Sequence, residues 1–305
     1  MRLLLRIISG VTRLFVEKPL LPAVSADVFL SLIVATINRT QELSLLLESL
    51  LTTSEPAFEV IIVDQNDDDR LSALLAAYAP RLPLTHLRFT EKNASKARNF
   101  GAQHARGQWI GFPDDDCCYT PDTIRQLTRA IDSSGCQIIL GAVTDFDGTP
   151  LGNFRRRHSN VSLLTIDGKV NEPGVFMSRA YFLHLNGFNE EYGPGGRYFA
   201  AEAYELLVRA LRNREKILFN ADIQILHPNK LLASEQAVLR MGYTYAYGAG
   251  SMVARHFGAW SVPYLLRNLL LNVARLLLLD NRRKRYAVHC LKGLRDGFHH
   301  TITRV

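Results

Sequence analysis

Three carboxylates stand side by side in Phe112-Pro113-Asp114-Asp115-Asp116-Cys117, directly after the apolar run from Gln108 to Phe112. Adjacent like charges repel, so such a run at the end of a buried strand calls for a cation or solvent to neutralise it. Carboxylate oxygens are hard ligands and suit Mg2+ or Mn2+, held by one or two side chains with substrate phosphates completing the shell. Taken alone, the triplet reads equally as a solvated acidic turn. A second acidic cluster, Asp64-Gln65-Asn66-Asp67-Asp68-Asp69, follows the run Val60 to Val63. Asp64, first after its strand, is placed to hydrogen-bond a base or a ribose, as the acid after a strand does in dinucleotide folds. Asp67 to Asp69 read as a solvated turn and helix cap. Lys96, Arg98 and Asn99 are candidate phosphate contacts at a helix start, with a solvated helix face as the alternative. No GxGxxG follows the first strand and no GxxxxGK[ST] occurs. Dehydrogenase and P-loop readings thereby lose their main support, and a metal with basic side chains must manage any phosphate.

The elements that must position these residues alternate along the chain. Apolar runs at Phe29 to Ile37, Phe58 to Val63, Leu84 to Phe89, Gln108 to Phe112 and Gln137 to Val143 predict strands. Between them, Glu42 to Leu51, Leu71 to Tyr78, Ser95 to Ala105 and Pro121 to Ile131 have helical spacing. The pattern predicts an α/β domain with a mostly parallel sheet, whose strand ends are where ligands bind. Thr120-Pro121-Asp122 reads as a helix start, with Thr as cap and Pro at the first helical position. Residues 144–173 read as a long loop, followed by a strand at Gly174 to Ser178.

The chain has 305 residues, 47% hydrophobic and 21% charged, enough for a sizeable core and one domain with an appendage. Its net charge of +7 is unevenly placed. Residues 28–227 carry 20 basic and 24 acidic side chains, whereas 228–305 carry 12 and 3, a net of +9. The basic character belongs to the tail, which argues against a nucleic-acid binder; basic and aromatic residues also fail to interleave as a stacking platform requires. Four cysteines without a CxxC pair predict small buried hydrophobes in a reducing compartment. Residues 1–27, with Arg2, Arg6, Arg13 and Lys18 among Leu and Ile, read as a retained basic amphipathic segment and not a signal peptide. After residue 230 the sequence becomes helical, basic and apolar, above all from Val262 to Leu279. Arg267 and Arg275 make a spanning helix costly, and an interfacial helix with snorkelling arginines on an anionic membrane surface is expected.

Ala35-Thr36-Ile37-Asn38-Arg39, Val63-Asp64, Lys96-Ala97-Arg98-Asn99, Phe112-Pro-Asp-Asp-Asp-Cys, Gly187-Phe-Asn-Glu-Glu and the segment at Glu202 occur in one order. Over residues 28–230 this order resembles the family-2 glycosyltransferases with the GT-A fold. The resemblance implies a GT-A domain over 28–230, with 231–305 a helical, membrane-associating extension. It implies that Thr36 and Asp64 contact the nucleotide, with Lys96, Arg98, Asp114 and Asp115 on the donor side. Asp114 and Asp116 would be the DxD pair, Asp116 the direct metal ligand, and His227 a third group beside Mg2+ or Mn2+. The family's acceptor-side Glu-Asp pair is here Glu202-Ala203, which leaves Glu202 as the candidate base; Glu205 is set to pair with Arg209.

The implied reaction moves a sugar from a nucleotide-diphosphate sugar to an acceptor hydroxyl with inversion. A lipid-linked saccharide, at the cytoplasmic face of the cell membrane, is the implied acceptor. The missing Asp at 203 keeps a second class open, a non-catalytic, membrane-associated nucleotide-sugar-binding or assembly subunit. A nucleotidyltransferase shares the acidic site and would release pyrophosphate.

Overall fold

The computed structural model describes residues 28–53, 58–152, 158–229, 234–278 and 280–303; the basic segment read over residues 1–27 lies outside them. The first strand, β1 (Leu30–Thr36), is buried along almost its whole length. Such a near-continuous apolar run marks a strand covered on both faces. Helix α1 (Gln41–Leu51) turns Leu43, Leu46, Leu47 and Leu50 inward, the spacing of one helical face. β2 (Phe58–Asp64), α2 (Ser72–Tyr78), β3 (Leu84–Arg88), α3 (Ala94–His104) and β4 (Trp109–Gly111) follow. β1 pairs in parallel with β2 and β4, and β2 with β3. Next come β5 (Cys118–Tyr119), α4 (Thr123–Ser134), β6 (Ile138–Thr144), β7 (His158–Val161), a 3-10 turn at Glu172–Gly174, β8 (Val175–Ser178) and α5 (Arg179–His184). The chain then runs through α6 (Glu202–Arg212), β9 (Ile217–Leu226), α7 (Glu235–Arg255), α8 (Ser261–Leu278) and α9 (Asn281–Ile302).

One sheet orders these strands β3-β2-β1-β4-β8-β6-β9-β5, with β7 on β9. Its first four strands are parallel, and β8 is antiparallel to both β4 and β6, so the second half is mixed. Two reversals return β6 and β9 to the direction of β1 and β4, and their carboxyl ends reach the same edge. Alternate residues feed two cores. Ile33, Ile61, Val63 and Ile110 face one, Leu32, Val34, Val60 and Ile62 the other.

Four local expectations need correction. The helix after Pro121 begins at Thr123, because Thr120 forms a turn in which its N–H and hydroxyl both meet Thr123 Oγ1 at 2.9 Å. That turn lets Cys118 and Tyr119 pair with Leu226 and Ile225 of β9. The supposed loop 144–173 contains β7, a polar edge strand on β9 whose sequence lacks apolar alternation. Among the cysteines, Cys117 is buried while Cys118, Cys136 and Cys290 are partly exposed; all four are free. Lastly, the arginines of α8 have protein partners, although the Arg267 side chain is 41% exposed. Arg267 pairs with Asp167, and Arg275 contacts Asn272 and lies over the Tyr286 ring.

Helix α8 is inverted in polarity. Leu266, Leu270 and Leu277 are 53%, 67% and 73% exposed, while Asn272 is 4% exposed. No helix among the described residues is long and apolar enough to cross a membrane.

The C-terminal helices share the main core, since Tyr247, Met252, Val253 and Trp260 join the cluster that holds Tyr192 and Tyr198. Helices α7 and α9 approach closely because Gly250, Gly293 and Gly297 stand at their contact. A Cβ at Gly297 would strike the Tyr247 carbonyl, and one at Gly293 the Tyr243 carbonyl. Backbone cannot yield as a flexible side chain does, so Gly297→Ala is expected to cost ~1–3 kcal/mol. A lowered thermal midpoint checks this; an unchanged one would show that the two helices separate freely.

Candidate active site

The carboxyl ends of β1, β4 and β9 deliver Thr36, Asp114 to Asp116 and His227 to one place. Thr36 Oγ1 donates to Asp115 Oδ2 at 2.7 Å. Arg39, reached through the left-handed Asn38, lies 2.6 Å from Asp115 Oδ1 and 2.7 Å from Asp116 Oδ2. Burial works against the Arg39 charge, yet the two carboxylates outweigh it and raise its pKa. Burial likewise pushes Asp115 up, with Arg39 and Thr36 opposing. His227 Nε2 is 3.2 Å from Asp116 Oδ1 and 3.5 Å from Asp114 Oδ2. Its Nδ1 is 2.8 Å from the Pro228 carbonyl, which can only accept, so Nδ1 carries a proton and Nε2 is the ring atom that faces the carboxylates.

Arg98 on α3 joins this cluster to the next. Its guanidinium donates to Asp114 Oδ1 at 2.9 Å and to Glu202 Oε1 at 3.0 Å, and its side chain is 6% exposed. Burial lowers its pKa, but Asp114, Glu202 and Glu172 together raise it. Glu202 opens α6 directly after Ala201, which is held at φ 71. The loop before it needs glycine at Gly193 (φ 88), where a Cβ would meet the Glu202 carboxyl carbon at 2.9 Å, and at Gly195 (φ 80), where one would strike the Lys92 carbonyl.

Arg39, Arg98, Asp114, Asp115, Asp116, Glu202 and His227 all line one cavity of about 1050 Å³, which continues between α7, α8 and α9. Thr36 sits just behind Asp115. Asp64 and Lys96 are not brought to this wall. The Asp64 carboxylate is fully buried and accepts from Asn66 N (2.9 Å), Asn66 Nδ2 (2.7 Å) and Arg88 (2.9 Å), with His86 at 3.0 Å. Burial alone would raise its pKa, but these donors lower it. Lys96 turns outward to Glu91. Asn99 is structural, bonding the Phe188 N–H at 2.8 Å and its carbonyl at 2.9 Å. Glu205 pairs with Arg209 as its spacing predicts.

At the β2 end the wall is supplied by Gln65 and Lys92, which the sequence reading passed over. Glu172, another residue it missed, enters from the 3-10 turn. Glu172-Pro173 ahead of the strand at 174 was a signal inside what looked like plain loop. Ala203 is fully buried in the apolar core and does not reach the wall.

The sequence profile described as Glycosyl transferase family 2 matches residues 31–193, more than half of the chain. The chain belongs to that family. An uncharacterized glycosyltransferase of Haemophilus influenzae is 36% identical over 106 residues, 34% of this chain and 35% of the relative. The succinoglycan biosynthesis protein ExoO of Rhizobium meliloti is 30% identical over 168 residues, 54% of this chain and 48% of the relative. The chain thus matches between a third and a half of the length of these curated relatives. Among solved structures, a mannosyltransferase from Pyrobaculum calidifontis in complex with GDP-Man and Mn2+ aligns with a TM-score of 0.64 at 14% identity, over 94% of this chain and 91% of that one. S. aureus TarS in complex with UDP-GlcNAc aligns with a TM-score of 0.55 at 17% identity, over 90% and 92%. At these identities the likeness is one of fold, and the fold is GT-A.

In this family-2 chain the ligand atoms of Asp114, Asp116 and His227 lie within 4.8 Å of one another. Two carboxylate oxygens and one imidazole nitrogen form a donor set that fits a divalent cation.

Burial, followed by the charges of Glu202 and Asp114, pushes the Glu172 carboxyl from its ordinary 4.5 up to about 7, against Arg98. The folded protein therefore keeps a proton that the unfolded chain releases between pH 4.5 and 7. Stability from this group is present below that interval and declines as pH rises through it. In metal-free protein, urea midpoints of Glu172→Gln should lack this decline. Parallel pH profiles for the two proteins would remove Glu172 from the charge balance of the site.

Proposed function

We propose that this chain is an inverting glycosyltransferase that moves a sugar from a nucleotide-diphosphate sugar to an acceptor hydroxyl. A lipid-linked saccharide of a cell-surface polysaccharide is the proposed acceptor. The observation that carries this reading is Arg98, whose guanidinium ties Asp114 at the cation end to Glu202 at the other wall of the same cavity. Charge must leave on one side of a sugar while a proton leaves on the other, and these two carboxylates, on either side of the Arg98 guanidinium, face the same cavity. The fold-level neighbours bound to UDP-GlcNAc, or to GDP-Man and Mn2+, support the donor class.

Mg2+ or Mn2+ held by Asp114, Asp116 and His227 would neutralise charge on the departing nucleoside diphosphate. Thr36 and Asp115 orient Arg39, which together with Lys92 offers positive charge to the diphosphate. Asp64 acts behind the wall, fixing Asn66 and Arg88, while Lys96 turns outward to Glu91. As the acceptor oxygen attacks the anomeric carbon from the face opposite the diphosphate, its proton passes to Glu202. Glu172, with its raised pKa, adds a second carboxylate beside it. Ala203 lies in the core, so its lack of a carboxylate is compatible with Glu202 as base; the non-catalytic reading predicts binding without turnover.

Helix α8 supports docking on an anionic membrane from the cytoplasmic side. Its outward face is apolar, and Arg282, Arg283, Lys284 and Arg285 follow it directly. The tail of net +9 fits an anionic headgroup layer.

A panel of UDP-, GDP- and dTDP-sugars with a lipid extract tests the chemistry. Nucleoside diphosphate release is expected from one donor and should depend on added Mn2+ or Mg2+. Glu202→Ala should lose ~10²- to 10⁴-fold in rate with donor binding nearly intact. Asp116→Ala should weaken both. Binding without release from any donor would favour the non-catalytic alternative.

Docking is tested separately with vesicles containing phosphatidylglycerol. The double variant Leu270→Glu/Leu277→Glu, at two solvent-exposed positions, should stay in the supernatant where the parent protein sediments. Equal sedimentation of the two would sink the membrane assignment.

A further inference from the structure

We propose that the end of the cavity between α7, α8 and α9 binds a phosphate group carried by the acceptor, with Arg275 as its main contact. The proposal rests on the glycosyl-transfer reading only in taking the cavity as the chamber that admits an acceptor. The cavity wall there is made by Tyr245, Tyr264, Asn268, Asn272, Arg275 and Tyr286. Four of these lie on α8 at positions 264, 268, 272 and 275. At ~100° per residue they fall within roughly 80° of the helix circumference, a single stripe. A helix packed on a water-soluble domain turns its apolar stripe inward; α8 turns its polar stripe inward, where only the cavity can use it.

The stripe is built from donors. Arg275 Nη1 donates to Asn272 Oδ1 at 3.1 Å, and its guanidinium carbon lies 5.8 Å from the centre of the Tyr286 ring. Among the described residues no carboxylate pairs with it, in contrast to Arg39 and Arg98 at the other end. Asn268 and Asn272 each give one amide hydrogen to a backbone carbonyl, that of Tyr264 at 3.0 Å and of Asn268 at 2.8 Å; Asn268 also bonds the Tyr264 phenol, and Asn272 keeps a second amide hydrogen. Burial pushes the Tyr264 phenol up to about 12, so it stays a donor at neutral pH. Neutral sugar hydroxyls need donors and acceptors in matched numbers, whereas phosphate brings several acceptor oxygens and a charge, which a guanidinium fork answers. The two ends of the cavity are thus opposite in kind. The acidic end takes phosphate through a cation, with Arg39 and Lys92 beside it, and the Arg275 end takes it directly, so an acceptor enters with its phosphate away from the reacting hydroxyl.

The test uses metal-free protein in EDTA, where the carboxylates at the first end repel anions. N-acetylglucosamine 1-phosphate, N-acetylglucosamine and farnesyl diphosphate are titrated by calorimetry. Both phosphate compounds should bind and the unphosphorylated sugar should not. Arg275→Ala and Arg275→Gln, the second keeping the stem and a donor, should each weaken binding roughly 10- to 100-fold, the range for a charge-assisted contact. Arg125→Ala removes the same charge from an exposed side chain outside the cavity and should bind like the parent. Tighter binding of farnesyl diphosphate assigns the phosphate to a lipid carrier, and tighter binding of the sugar phosphate assigns it to the glycan. Parent-like affinity in both Arg275 variants, or equal binding of the unphosphorylated sugar, overturns the proposal. No sugar is transferred here, so failure would leave glycosyl transfer standing, and a donor panel without turnover would leave the phosphate site standing.

Discussion

A guanidinium buried to the extent of Arg98 must be met by negative charge, and it is met from two directions at once. Asp114 comes from the turn after β4 and Glu202 from the start of α6, elements separated by about ninety residues of chain. Removing one partner of such a buried set costs about 3–5 kcal/mol, because the remaining charges are left uncompensated. The surrounding architecture serves that constraint. Gly193 and Gly195 let the loop pass close over Glu202 and Lys92, and Asn99 ties the Phe188 segment to the helix that carries Arg98. The acidic residues tolerate one another because Arg39, Arg98 and His227 stand between them.

The N-terminal half of the fold was legible because β1 and β2 are doubly buried and helices such as α1 have a single apolar stripe. Asp114 and Asp116 were legible because they follow a strand end, and His227 was joined to them by the resemblance to family-2 glycosyltransferases; its strand β9 ends at the same edge. The sequence reading stumbled where polarity and position part company. Asp64 and Gln65 are neighbours, yet only Gln65 faces the cavity, while Asp64 holds the frame behind it. Glu172 lay hidden in a stretch whose polar composition resembles loop, and β7 pairs as an edge strand without the apolar alternation that reveals a strand. Thr120 has the chemistry of a cap but uses it on Thr123 to close a turn.

The tail differs from the rest of the chain in its basic composition, but composition did not disclose its role in the core. Tyr247, Met252 and Trp260 pack with residues from the middle of the chain. The orientation of α8 was also beyond a count of its residues, since its leucines and its asparagines fit a membrane-facing or a core-facing helix equally well until neighbours decide which side each occupies. Tyr286 and the cavity decided it.

The glycine contact between α7 and α9 carries a consequence for genetics. Two helices stitched at Gly250, Gly293 and Gly297, with α7 embedded in the central core, make α7 and α9 part of the folding unit. A premature stop within α8 would leave α7 with an uncovered face and strip one side from the chamber. Such a truncation would therefore act on the stability of the whole domain and not on a detachable tail.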